Sequence, residues 1–262
     1  MNSQSSKWLL AVVLFGTGNL IVAGLGLSQN STTQASKPSS DETFLPLEPG
    51  TYWVYSGTVT WADTESDSVQ DVTTKVSITT KVEKVYLKPE FALAVISGYP
   101  GDLDWSNGQA TPKPSLLIET RKHEVFLNVL PPDFDYTKLQ KDAASLQGFL
   151  AEDNLLFRWP LKTGMKFGDA DSVSRDDGKY CWEVMHYEKK NLSGIKGIPS
   201  RVAEAFLLRY ATNPDDTQLE LSPGIGILSY EYHHHGTTAD TNVSLVEFHP
   251  AQKTSAEGGA NP

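Results

Sequence analysis

Asp71-Val72-Thr73-Thr74-Lys75-Val76-Ser77-Ile78-Thr79-Thr80-Lys81-Val82-Glu83-Lys84-Val85-Tyr86 is the stretch that decides the fold. Val76, Ile78, Val82 and Tyr86 share one parity, while Lys75, Ser77, Thr79, Lys81 and Glu83 occupy the other. A period of two sustained this long belongs to an antiparallel strand with one face on a core and one in water. Its length implies strong curvature or a bend near Thr79-Thr80.

The same pattern extends in both directions. Upstream, Thr51 to Trp61 reads as a strand after a turn at Gly50. Downstream, Phe91 to Ser97, Ser115 to Thr120 and Glu124 to Leu130 continue a meander broken by Pro, Gly, Asp and Asn turns. Thr137 to Gln147 places Leu139, Ala143 and Leu146 at helical spacing and predicts one short connecting helix, stopped by Gly148. Beyond it, Tyr180, Trp182 and Val184 alternate against Glu183. Arg201 to Thr212, Leu219 to Leu221, Ile225 to His235 and Thr241 to His249 then read as further strands. The loop Gly236 to Asp240 makes the last two a hairpin. A parallel βαβ scheme lacks its helices, so the class is all-β.

Pro46-Leu47-Glu48-Pro49-Gly50-Thr51-Tyr52-Trp53 returns 114 residues later as Pro160-Leu161-Lys162-Thr163-Gly164-Met165-Lys166-Phe167. Both read Pro-Leu-x-x-Gly-x-x-aromatic, a turn that launches a strand. The repetition predicts two related antiparallel units, 44–134 and 156–250, joined by the helix near 137–147. Together they would make a curved sheet, half-barrel or barrel-like body.

The ends have another character. Trp8 to Leu27 is apolar after a short polar start, which reads as a signal peptide or an N-terminal membrane anchor over 1–27. Residues 28–43 form a Ser/Thr-rich linker, and 251–262 form a tail. The chain carries a net charge of −10, and residues 1–35 contribute only Lys7 to it. An acidic exported domain is a poor partner for nucleic acid or anionic lipid surfaces, so membrane association is expected only through the N-terminal segment. Cys181 is the single cysteine, which excludes an internal disulfide and points to a small buried side chain.

Phe44-Leu45-Pro46-Leu47 with Gly50 and Trp53-Val54-Tyr55, followed near the end by Ser222-Pro223-Gly224-Ile225-Gly226-Ile227-Leu228 and Tyr230-Glu231-Tyr232, carries a resemblance. It resembles a broad group of uncharacterised bacterial secreted proteins and lipoproteins. The resemblance implies a curved antiparallel sheet and supplies no catalytic residues. This chain lacks the anchoring cysteine of the lipoprotein members.

Glu231, His233 and His235 fall on one face of a strand, and His-x-His there is a usable metal spacing, with zinc the ion in view. Asp240 or His249 are further candidate ligands. Asp102 to Gly108 has the look of a calcium loop, but its glycine is one position late and Lys113 stands where an acidic ligand is required. Trp53, Tyr55, Trp61, Trp159 and Trp182 are the candidate lining of a groove. No G-x-S-x-G elbow, H-E-x-x-H or P-loop occurs in the chain, and no enzyme activity is assigned. The expected function is that of an exported cell-envelope protein, a binding or structural module for an apolar ligand, a lipid or a protein partner. The alternative is a metal-binding, hydrolytic protein centred on His233 and His235.

Overall fold

Alternating strand patterns with no long helix leave the chain one way to bury its apolar faces, which is to curl a sheet on itself. The computed structural model describes residues 44–63, 70–104, 107–131, 134–135, 143–235 and 238–251. The first half, which runs past the expected boundary at 134 to take in β6, supplies β1 (Tyr52–Asp63), β2 (Gln70–Leu87), β3 (Phe91–Ser97), β4 (Pro114–Thr120), β5 (Glu124–Val129) and β6 (Leu155–Arg158). The second supplies β7 (Lys166–Phe167), β8 (Trp182–Asn191), β9 (Val202–Ala211), β10 (Asp215–Ser222), β11 (Gly226–His234) and β12 (Ala239–His249). All twelve described strands form one antiparallel sheet in the order β6-β5-β4-β3-β2-β1-β12-β11-β10-β9-β8-β7. This is an up-and-down meander whose first and last strands are neighbours and whose edges, β6 and β7, adjoin. The result is a nearly closed, barrel-like sheet with almost no helix, as the sequence implies.

The two Pro-Leu-x-x-Gly phrases occupy equivalent places. Gly50 and Gly164 both take positive φ, +91° and +80°. Thr51 N–H donates to Glu48 O, and Met165 N–H donates to Lys162 O, closing the same turn. Gly50 N–H then donates to Val82 O on β2, which returns a bond from its own N–H to Thr51 O. Gly164, Val184 of β8 and Met165 repeat both bonds. The correspondence reaches the next ladder: the register slips between Val82 and Lys84 against β3, and between Val184 and His186 against β9. The long β2 strand is therefore irregular at Val82/Lys84, three residues beyond the bend expected from its length. That bulge also puts Tyr86 out of phase, half-buried rather than in the core.

Directly opposed residues share a face, and the inner row Val184–Leu208–Leu219–Tyr230–Val243–Gly57–Val76 crosses most of the sheet. Gly57 sits in that row because a Cβ there would lie 1.9 Å from Asn242 O, so only glycine lets β1 and β12 approach. Between β6 and β7 no ladder forms among the described residues. Aromatic rings bridge the seam instead: Phe44 packs on Phe157 (4.5 Å) and Trp159 (4.8 Å), Trp159 on Phe206 (5.5 Å), and Phe206 on Tyr187 (5.2 Å).

Two local expectations change. Of the helix expected over 137–147, residues 137–142 lie outside the described residues; Ala143–Leu150 is a 3-10 helix that runs through Gly148. Gly148 does not adopt positive φ and so does not cap it. The one α-helix among the described residues is α1, Ala170–Val173, capped by Asp169, whose carboxylate accepts from Ser172 N–H at 3.1 Å. Cys181 is buried and its thiol pKa is raised, chiefly by that burial.

Candidate functional site

An apolar slot opens inside one end of the barrel. Trp53 and Tyr55 reach it from β1, Thr80 from β2, Ile96 from β3, Leu117 from β4, Leu156 and Phe157 from β6, and Gly226 and Ile227 from β11. Tyr99 and Pro100 enter from the β3–β4 connection, and Leu45 and Leu47 from the segment before β1. The slot is narrow, with a cavity volume of about 40 Å3, and it opens to solvent on one side.

Its polar atoms are turned away from that space. Trp53 Nε1 donates to Ile225 O at 2.5 Å, and Tyr55 Oη donates to Ile227 O at 3.0 Å. Thr80 Oγ1 donates to Gly98 O at 2.7 Å. Each donor is thus satisfied by backbone, and the rings present only apolar faces inward. Burial holds the phenols of Tyr55 and Tyr99 well above the ordinary tyrosine range, so both stay neutral. The lining is apolar and contains no nucleophile beside a base.

A strap closes one side. Phe44 O accepts from Gly224 N–H at 2.9 Å, and Phe44 N–H donates to the Glu119 carboxylate on β4. The segment 44–47 therefore ties the first half of the sheet to the β10–β11 turn while Leu45 and Leu47 seal the slot. Gly226, at φ +107°, keeps the turn open enough for Leu45 Cδ2 and Trp53 Nε1, each 3.4 Å from where its Cβ would be.

Of the five aromatic residues expected to line a groove, only Trp53 and Tyr55 do so. Trp159 lies behind the lining, on the seam. Trp61 sits half-buried at the far end of β1, opposite Ala239 and Val72. Trp182 is half-buried on β8 and packs on Tyr210 at 5.3 Å. One continuous groove through all five is not formed, because β1 alone separates Trp53 from Trp61 by eight residues of extended chain. Sequence reasoning missed Leu45, Leu47, Leu156 and Phe157. The apolar runs Phe44-Leu45-Pro46-Leu47 and Leu155-Leu156-Phe157 were the available signal.

The histidine strand splits as its period requires. His234 and Tyr232 turn together, and both bond Asp215 Oδ1 at 2.7 Å, which holds that carboxyl below its usual range. Glu231, His233 and His235 take the opposite, outer face. His233 Nδ1 bonds Asp240 Oδ1, and the His233 and His235 rings meet edge to face with centroids 4.7 Å apart. His249 is remote from this group; it stacks on Tyr52 at 4.5 Å and bonds Glu247 at 2.5 Å. Among the described residues no group of three or more His, Cys, Asp or Glu side chains is arranged to hold a metal ion. The expected set of Glu231, His233 and His235 therefore does not assemble as three ligands: the imidazoles converge and Glu231 does not join them.

No protein-family model matches the chain, and no curated protein matches it. Two solved structures align with it. One is a protein described as exported, with a YmcC-like fold, from Bacteroides fragilis: 12% identity, 79% of this chain and 99% of that one covered, TM-score 0.38. The other is a protein described as a lipoprotein from Parabacteroides distasonis: 10% identity, the same coverages, TM-score 0.35. Likenesses this distant leave the function of the present chain to its own residues.

Proposed function

We propose that the protein is exported to the cell envelope and binds an apolar ligand, such as a lipid chain, inside its barrel-like sheet. The apolar stretch Trp8 to Leu27 and the polar linker after it support export. The observation that carries the binding reading is the slot itself. Its walls are apolar, it opens to solvent on one side, and its hydrogen-bond donors from Trp53, Tyr55 and Thr80 are already engaged. A ligand bearing polar groups would find no partner among those donors and would pay their desolvation, so an apolar body is selected.

Titration with a fluorescent apolar probe, N-phenyl-1-naphthylamine, tests this on the full chain. Saturable enhancement is expected, with affinity at least tenfold lower in Leu156→Trp, which fills the slot. Val202→Ser, at an exposed site on β9, leaves it unchanged. Enhancement that never saturates, or that survives the slot-filling change, rules the reading out. N-terminal sequencing of exported material tests the location separately.

A further inference from the structure

We infer that His233 and His235, oriented by Asp240, form a surface site for one divalent transition-metal ion, copper(II) in first preference and zinc(II) after it. The site is on the outer face of β11 and β12, with His235 just past the end of β11, and is independent of the interior slot.

Three observations carry it. Alternate residues on a strand are about 7 Å apart, yet these two imidazole rings lean together to centroids 4.7 Å apart, at 81° to each other. Rings this close are within reach of one shared ion about 2 Å from a nitrogen of each. Second, the Asp240 carboxylate only accepts, so His233 Nδ1 carries the proton in the bond between them, and the neutral ring keeps its lone pair on Nε2. A carboxylate behind a histidine in this way fixes the tautomer and ring orientation and raises the basicity of the ligating nitrogen. The side chains of His233 and Asp240 are 52% and 44% exposed, so an ion reaches them without opening the barrel.

Third, the surrounding charge favours a cation. His233 stands in register between Asp216 of β10 and Asp240 of β12, and Glu231 lies two residues before it on the same face. Arg209 pairs with Asp216 through Oδ2 and offsets its charge, so Asp240 and Glu231 are the carboxylates that bear on the two imidazoles. Two imidazoles leave the remaining coordination positions to water or to a donor from another molecule. Imidazole donors suit copper and zinc, and the usual order of divalent affinities places copper first.

The test is a copper(II) titration of the full chain, purified without a polyhistidine tag and followed by calorimetry and electron paramagnetic resonance. One equivalent is expected, with nitrogen hyperfine structure from two imidazoles. His233→Asn with His235→Asn is expected to weaken binding at least tenfold. Asp240→Asn is expected to weaken it about tenfold, the usual size of an outer-sphere loss. His123→Asn, elsewhere on the surface, leaves it unchanged. Should the double variant fail to fold by circular dichroism, His233→Gln and His235→Gln singly carry the same comparison. Equal copper uptake by wild type and the histidine variants overturns the site. Unchanged affinity in Asp240→Asn overturns the role given to the carboxylate.

Discussion

Glu119 shows how one carboxyl can set the pH response of the protein. Its side chain is only 10% exposed on β4, and burial raises its pKa from 4.5 to about 7, with the Phe44 N–H bond pulling the other way. His123 Nδ1 stands 3.9 Å from it. Between about pH 4.5 and 7 the folded chain keeps a proton that the unfolded chain has released, so stability falls as pH climbs through that window. The shift corresponds to roughly 3 kcal/mol, fully felt above pH 7 and absent below 4.5. Glu119→Gln keeps an acceptor for Phe44 N–H and removes the buried charge. Its urea-unfolding midpoint should exceed wild type at pH 8, and the two should converge near pH 5. Parallel pH profiles would show that Glu119 is not the group responsible.

Among the elements, the seam between β6 and β7 is the unusual join. Elsewhere neighbouring strands exchange backbone hydrogen bonds; here Trp159 spans the gap from Phe44 to Phe206. Aromatic pairs of this kind are worth about 0.5–1.5 kcal/mol each beyond the area they bury. Trp159→Ala should therefore cost about 3–5 kcal/mol by urea denaturation, and hydrogen exchange should accelerate first in β6. Trp159→Phe should recover part of the loss; uniform acceleration across the sheet would locate the weak point elsewhere. The same seam marks where sequence reading gives out. β2 was legible because one face is wet, so Lys75, Ser77 and Thr79 punctuate Val76 and Ile78. Leu155, Leu156 and Phe157 are buried on both faces and give no alternation. β7 has two residues, too few for any period. The slot was legible only where a single strand writes it, at Trp53 and Tyr55. Its other walls come from segments up to about 180 residues apart, from Leu45 to Ile227, whose meeting only the ring topology dictates. The His233–Asp240 pair was within reach, since a hairpin between the last two strands puts those residues opposite each other.

At the scale of the whole molecule, the last described residue lies beside the start of β1. Ala251 N–H donates to Thr51 Oγ1 at 3.1 Å, and β1 pairs with β12 along most of its length. The seam, by contrast, has no ladder to break. A circular permutant that joins residue 251 to residue 44 through a Gly/Ser link long enough to run from Thr51 back to Phe44, and that opens the chain before Pro160, should therefore fold to the same sheet. Matching far-UV circular dichroism and a cooperative melt would support this closure. A permutant opened within β1, which has partners on both sides, should fail the same measurements.

Pairing of the opening strand with the final one also fixes when the ring can be finished. Tyr52 must wait for His249, so every strand between them has to be available before the circle is complete. Contacts this distant in sequence slow folding. A chain threaded through a translocation pore from its N-terminus would consequently remain pliable during passage and lock only on arrival.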